Sequence, residues 1–588
     1  MKRGWMLGVA LALGCGDSTA GGDTDANTDT DGTSSTTGGT APATTADPDT
    51  SGSPATTADP DTTAADSSST TEVSSATDDP STTGETLVSL GGIVVGLNGT
   101  LTLQANGGED LVLDEDGPFT FETPIVEGDA FEVTVAEAPD VQLCMVGGGE
   151  GTAEGDVDTV VVRCGDKAFF DADDDEHGFE LWMSDGTPEG TTMVADLYEG
   201  APNSSPQVLA NLDGRIVFTA VTDGSGREFW STDGTEEGTV KIAETEAGAA
   251  GTNLQFVGVF DGRLYLRQNA TLWVTDGQPE GVFEEFFVVD PDGNGGIGNL
   301  ADLGEVFVFS AAVDNDQELW VSDGTPEGTS LLVDVNENVS GQVQVFPRGV
   351  GGLGYFVANG PNGREVYVTD GTAEGTSELA DIDPGGGGSN PGILGALGDR
   401  VFFRASPPAT GVEPFVSDGT EKGTVSLGDI RPGGGGSNAF GPRTVGEENL
   451  FVADDGTVGR ELWRTDGTEE GTALLIDIRD GGADGFRGNN LYQPSLESSW
   501  VVFGGDDGTT GHELWTTDGT AEGTTLLADL NEGGAGSVPA LWRTLGPDRV
   551  FFFAETDAAG CEPYVTDGTP EGTMMLDDIN PGPADACD

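Results

Sequence analysis

Beyond residue 86 apolar and polar positions alternate in short runs set off by Gly, Asp, Asn or Pro. That is the period of two expected of strands joined by turns, not the 3.6-residue period of helices. The runs GGIVVGLNGTLTLQANGG (91–108), EDLVLDEDGPFTFETPI (109–125), DAFEVTVAEAPDVQLCMV (129–146) and DTVVVRC (158–164) predict a small β-sandwich over 87–165. From 166 to 588 the alternation itself repeats. Its clearest unit reads PALWRTL (539–545), DRVFFFAET (548–556), CEPYVTDG (561–568) and TMMLDDI (573–579): four short strands in one period.

One phrase marks every period. It is ELWMSDGTPEGT at Glu180, EFWSTDGTEEGT at Glu228, TLWVTDGQPEGV at Thr271, ELWVSDGTPEGT at Glu318 and EVYVTDGTAEGT at Glu365, then EPFVSDGTEKGT at Glu413, ELWRTDGTEEGT at Glu461, ELWTTDGTAEGT at Glu513 and EPYVTDGTPEGT at Glu562. The turn aspartates Asp185, Asp233, Asp276, Asp323, Asp370, Asp418, Asp466, Asp518 and Asp567 stand 43 to 52 residues apart. Four antiparallel strands at that spacing are the content of a propeller blade. The expected fold is therefore all-β: a multi-bladed β-propeller of eight or nine four-stranded blades over 166–588, preceded by the small β-sandwich and a disordered linker. Nine motifs suggest nine blades, but the first has no strand of its own before Lys167. Eight blades closed by shared strands, or an open array, are the alternatives.

The motif residues have structural roles. An aromatic stands at the third position of all nine copies, at Trp182, Trp230, Trp273, Trp320, Tyr367, Phe415, Trp463, Trp515 and Tyr564, as expected of a large side chain wedged between neighbouring blades. Ser or Thr, then Asp-Gly, opens a turn in which Asp accepts backbone N–H groups and Gly supplies positive φ. The turn resembles the Asp-box of sialidase-type propellers, where the motif is structural. Taken together the nine copies resemble the ELWxxDGT repeat family of bacterial exported proteins, over about 420 residues. The resemblance implies a repeat scaffold with no established chemistry.

The N-terminus changes the picture by giving an address. Lys2 and Arg3 precede an apolar run, Trp5 to Leu13, too short to span a bilayer stably, and Leu11-Ala12-Leu13-Gly14-Cys15 resembles the lipobox of bacterial lipoproteins. Residues 1–15 are read as a lipoprotein signal with Cys15 as the lipidation site, and residue 16 to about 86 as the linker. That linker has no Lys, Arg or aromatic residue and contains fourteen acids, so it cannot build a core. The 87–165 unit, with its GxVxGLxG, LxLxxNGG, FxF and closing VxVxC pattern, resembles a short module placed after signal and linker in bacterial surface lipoproteins. The expected localisation is lipid-anchored, at the outer membrane facing the periplasm or the cell surface.

The chain carries 104 acids against 22 Lys and Arg, a formal charge of −82. Outside signal and linker, 90 acids still face 20 bases. Binding of nucleic acid through a basic patch is excluded as a function class. Four cysteines remain after Cys15; local order favours Cys144 with Cys164 and Cys561 with Cys587, although three pairings are open. Closely spaced acids at Asp171, Asp173 and Asp175 make Ca²⁺ the candidate cation, and a recurrent acid after the fourth strand (Asp196, Asp334, Asp381, Asp429, Asp477, Asp529, Asp578) is a second place for it. His177 and His512 occupy equivalent hairpin turns where other copies carry Arg, and no GxSxG, HExxH or P-loop occurs. No catalytic residue is assigned. The expected function is a non-enzymatic, surface-tethered scaffold binding an unidentified protein or glycan, with a propeller hydrolase or lyase acting on extracellular polysaccharide as the alternative.

Overall fold

The computed structural model describes residues 86–243, 251–293, 295–337, 339–385, 387–488, 490–495 and 498–587. The signal, Cys15 and, Thr86 apart, the 16–86 segment lie outside the described residues. Among the described residues every regular element is a strand.

Two four-stranded sheets form the sandwich. One runs Gly117–Thr120, Leu90–Val95, Val157–Asp166, Gln142–Gly147, and the other Glu109–Leu113, Leu101–Ala105, Ala130–Glu137, Glu150–Thr152. Alternate residues of each, such as Leu101 and Leu103 against Val160 and Val162, share one core with Phe119, Phe121 and Phe131. Cys144 and Cys164 face each other across adjacent antiparallel strands and form a disulfide.

Nine antiparallel sheets follow among the described residues, over 168–195, 207–243, 255–288, 297–333, 344–378, 392–426, 440–476, 501–528 and 540–575, each with its strands in chain order. Their second strands read as almost unbroken apolar runs, for example Phe307–Val313 and Arg549–Thr556, because they are buried on both faces. Nine apolar clusters lie between the sheets, each drawn from two neighbours. Val308 and Leu319 of the fourth meet Phe356 and Tyr367 of the fifth, for instance, and Val502 and Leu514 of the eighth meet Phe552 and Tyr564 of the ninth. The ninth cluster joins the last sheet to the first: Phe551 and Phe553 pack on Phe170, with the rings of Phe170 and Phe551 stacked at 4.6 Å. The array is thus a closed ring of nine sheets. First strands of neighbouring sheets approach one another, as where Gly398 N donates to Thr444 Oγ1 at 2.8 Å, and so lie nearest the axis.

Seven sheets have four strands; the first and eighth have three. In the first, the end of the sandwich's last strand stands where an inner strand would. Gly546 N of the ninth sheet donates to Asp166 O (2.7 Å), and Asn211 Nδ2 of the second donates to Asp166 Oδ1 (2.7 Å). The sandwich is therefore built into the ring wall. In the eighth, the longest repeat, the inner segment touches the sheet only through isolated bridges, Phe486 to Gly505 and Tyr492 to Val502. Extra residues between them loop the chain out of register with the second strand.

The C-terminal tail secures the closure. Cys561 and Cys587 are disulfide-bonded, Ala586 N donates to Cys561 O (2.9 Å), and Asp173 N of the first sheet donates to Ala586 O (3.1 Å). Replacing both cysteines with serine frees a loop of 26 residues; the expected loss is about 3 kcal/mol, read as a lower Tm of the full chain. An unchanged Tm would mean that the tail does not hold the ring shut.

Candidate functional site

The repeated motif is where chemistry would be sought, so its atoms must be accounted for. In the eighth copy, Asp518 Oδ1 accepts from Thr520 N (2.9 Å) and Thr520 Oγ1 (2.7 Å), Thr520 Oγ1 accepts from Gly523 N (2.9 Å), and Thr517 Oγ accepts from Gly519 N (3.1 Å) and shares a hydrogen bond with Thr524 Oγ1 (2.7 Å). Two glycines are required for different reasons. Gly519 sits at φ 92°, in the left-handed region, whereas a Cβ on Gly523 would stand 2.0 Å from Asp518 Oδ1. The same bonds recur at Asp185, Asp233, Asp323, Asp370, Asp418, Asp466 and Asp567. Hydrogen bonds from Thr468 hold the Asp466 carboxyl below the usual range, and the same cause acts at Asp370, Asp418 and Asp518. In the third copy, where Gln278 and Val282 replace the threonines, Asp276 Oδ1 still accepts from Gln278 N (3.1 Å), and both of its oxygens also accept from Val282 N at 3.0 Å.

The nine aromatics lie in the nine inter-sheet clusters, each on the side of the preceding sheet: Trp182 with the ninth sheet, Trp230 with the first, Trp273 with the second, Trp320 with the third, Tyr367 with the fourth, Phe415 with the fifth, Trp463 with the sixth, Trp515 with the seventh and Tyr564 with the eighth. The residue before it points the other way. Leu181, Phe229, Leu319, Leu462 and Leu514 join the cluster shared with the following sheet. The alternation along one strand thus covers both faces of each sheet.

Sequence reasoning gave the motif glutamate no role, and the structure supplies one. Glu180, Glu228, Glu318, Glu365, Glu413, Glu461, Glu513 and Glu562 are all buried. The carboxylates of Glu180, Glu318, Glu365, Glu413, Glu461 and Glu513 accept from the backbone of the crossing to the next sheet, and that of Glu562 from the C-terminal segment after the ninth. Glu461 takes Ile478 N (2.9 Å) and Gly485 N (2.7 Å); Glu180 takes Leu197 N (3.0 Å), Ser204 N (3.1 Å) and Ser204 Oγ (2.6 Å); Glu513 takes Leu530 N (3.0 Å) and Ser537 Oγ (2.5 Å). Each glutamate thereby satisfies donors that a buried crossing would otherwise leave unpaired. The signal was in the sequence: a charged residue kept in eight of nine copies at the start of an otherwise apolar strand. Where Thr271 replaces it, the buried Asp290 of the crossing accepts from Asp292 N (2.9 Å) and Asp314 N (3.4 Å) instead.

Burial pushes the carboxyls of Glu413 and Glu461 up to about 7 and that of Glu562 up to about 8, with the nearby Asp429, Asp477 and Asp578 adding repulsion. These last are the recurrent acids of the crossing, and Asp196, Asp477 and Asp578 each leave one buried Oδ1 without a hydrogen-bond partner.

The remaining candidates are scattered. Asp171 and Asp173 lie on the first sheet's first strand and Asp175 in the turn after it, where Asp173 Oδ1 accepts from Asp175 N (2.8 Å). Among the described residues no group of three or more His, Cys, Asp or Glu is placed to hold a metal ion. His177 Nδ1 contacts Asp174 Oδ2 at 2.8 Å, which raises its pKa, whereas burial lowers that of His512. The two belong to the first and eighth sheets, with the ninth sheet between them. A cleft of about 600 Å³ is lined by Arg404, Phe440, Asp454, Arg460 and Asp484, but its acids are engaged by arginines, Asp484 by Arg460 at 2.9 Å and Asp454 by Arg431 at 2.5 Å.

No protein-family model matches the chain, and no curated protein matches it. Among solved structures it is similar to a puromycin hydrolase at 15% identity and a TM-score of 0.30, covering 55% of this chain and 53% of that one. It is also similar to a putative TolB from Agrobacterium tumefaciens at 13% identity and a TM-score of 0.25, covering 40% of this chain and 84% of that one. The chain spans about half the length of the hydrolase. Likeness at this level assigns no activity or substrate.

Two outcomes follow from the buried glutamates. Glu513→Ala strands the N–H of Leu530 and the hydroxyl of Ser537, and is expected to cost about 3 kcal/mol, with Glu513→Gln costing less because an acceptor oxygen remains; equal Tm values for both variants and the parent would contradict the role. For pH, glutamates whose folded pKa lies above the unfolded 4.5 hold more protons in the folded chain between about 4.5 and 8. Stability therefore falls as pH rises through that window. The turn aspartates, depressed below 3.8, act oppositely and lose their contribution as pH falls past it. Scanning calorimetry is expected to place the highest Tm near pH 5, and a maximum at or above pH 8 would refute this.

Proposed function

We propose that the chain is a non-enzymatic, surface-tethered repeat lipoprotein of the ELWxxDGT type, serving as a binding or structural scaffold. One observation carries this reading. The repeated polar residues, the only candidates present often enough to define the protein, are consumed internally: the aspartates by their own turns and the glutamates by the crossings. A group engaged in this way is not available as a general acid, base or nucleophile, which require geometry open to a substrate. What each sheet leaves outward is its loops and a strongly acidic surface, suited to display and to keeping the protein soluble. The tether is the lipid on Cys15, and the partner is a protein or glycan of the cell envelope.

The test pairs location with turnover. Cys15→Ser is expected to move the full chain from the membrane fraction to the soluble fraction, and retention in the membrane would refute the tether. The parental chain is expected to bind isolated cell envelopes saturably without releasing reducing sugar ends; sugar release would favour the polysaccharide hydrolase or lyase.

Calcium stabilisation is part of the same reading, supported by the unpartnered oxygens of Asp196, Asp477 and Asp578. Calcium is expected to raise the Tm and chelator to lower it. A Tm indifferent to both removes calcium from the account and leaves the scaffold.

A further inference from the structure

Repetition makes each sheet a control for the others, and on one rung of the inner strands the sixth sheet departs from its neighbours. That rung lies opposite the second-strand residue paired with the second motif position. It holds Gln207, Gln255 and Gln344 in the second, third and fifth sheets. In the third, Gln255 Oε1 accepts from Arg267 Nε, directly across the ladder, at 3.1 Å; in the fifth, Gln344 Oε1 accepts from Arg364 Nη2 at 3.3 Å. The sixth sheet keeps an arginine and lacks the glutamine, for Arg404 stands directly across from Gly392. A Cβ on Gly392 would lie 3.3 Å from Arg404 Nε, so the arginine runs over the space that a glutamine side chain fills elsewhere. Among the described residues no group bonds to or pairs with the Arg404 side chain.

Arg404 faces a real cavity. It lines the cleft of about 600 Å³ together with Asn438, Phe440, Asp454, Arg460 and Asp484, a size suited to a small ligand. Phe440 holds the same rung on the seventh sheet that Gly392 holds on the sixth, and its half-buried ring is braced edge-on by Phe486 at 5.7 Å. The two acids of the cleft are already matched. Asp454 pairs with Arg431, and Asp484 accepts from Arg460 N (3.0 Å) and Arg460 Nε (2.9 Å). Arg404 is therefore the surplus charge of the cleft, a cation in a chain of net charge −82. All five of its N–H donors remain available, as do the Nη donors of Arg460. The side-chain amide of Asn438 also has no partner among the described residues.

We propose that this cleft binds an acidic sugar, a uronate residue whose carboxylate is held by Arg404 and the Nη groups of Arg460 and whose ring lies against Phe440. Arginine forks match the two-oxygen edge of a carboxylate, and an aromatic wall with a few convergent polar groups is the usual make-up of a small-ligand site. Asn438 supplies a donor and an acceptor for ring hydroxyls. The proposal names a ligand for the scaffold reading and rests on it.

The experiment is isothermal titration of the purified full chain with the trimer of galacturonate, with its methyl ester and with acetate, chloride holding ionic strength constant. The trimer is expected to saturate one site, and the ester and acetate to bind at least about tenfold more weakly. Arg404→Gln removes the fork. Gly392→Gln restores the residue found in the other sheets and is expected to capture Arg404 as Gln255 captures Arg267. Each variant is expected to weaken trimer binding about tenfold, with its Tm reporting that it has folded. No saturation by the trimer, parental affinity in both folded variants, or acetate bound as tightly as the trimer overturns the site. Failure of the site and failure of the scaffold reading are separable. Envelopes bound while the trimer is not would remove the site and leave the scaffold, whereas a trimer bound and then cleaved would remove the non-enzymatic reading and keep the site.

Discussion

Each sheet of the ring is apolar on both faces, and that constraint decides most of the rest. A sheet such as 297–333 cannot turn either face to water, because Phe307 and Phe309 serve the cluster on one side and Val308 and Leu319 the cluster on the other. A row of such sheets would end in two bare faces, each a template for aggregation. Closure removes both ends, and the packing of Phe170 on Phe551 is where it happens. At the closure the segments flanking the repeats cooperate: the sandwich offers Asp166 O to Gly546 N beside the ninth sheet, and the disulfide-bonded tail offers Ala586 O to Asp173 N of the first.

Closure has a polar consequence. To pass from the outer strand of one sheet to the inner strand of the next, the chain must cross a buried edge, where backbone N–H groups have no strand to bond. A glutamate at the start of the third strand meets them from below, 17 and 23 or 24 residues ahead of its partners in the sequence, as at Glu318 with Val335 and Gly341. A carboxylate can accept several such bonds at once, which a neutral side chain of the same length does less well. Its cost is desolvation, and the raised pKa values of Glu413, Glu461 and Glu562 record it. The ELW triplet therefore carries three separate jobs: the crossing, the following interface and the preceding interface.

Much of this was legible in the chain. Repetition exposed the blade-like period and the aromatic wedge, since Trp182 and its eight counterparts recur at one position, but left the sheet count at eight or nine, and the alternation exposed the strands. The four cysteines pair as their local order suggested. Other features were hidden for physical reasons. The glutamate's partners lie beyond a turn and a strand, so no local pattern links Glu461 to Gly485. The missing strands of the first and eighth sheets depend on what the sandwich and the long insertion do in space. Of the Ca²⁺ candidates, Asp171 and Asp173 stand two apart on one strand and so share a face, whereas Asp175 lies in the turn beyond it, its N–H donating to Asp173 Oδ1 at 2.8 Å.

The central claim is that nine sheets close on themselves, with the first packed directly on the ninth. Single-particle electron microscopy of the purified full chain, viewed down the ring axis, tests it most directly. The account predicts a continuous annulus with nine radial densities and the sandwich seated at one of them. Eight densities, or an annulus broken between the Phe170 and Phe551 sheets, would contradict it.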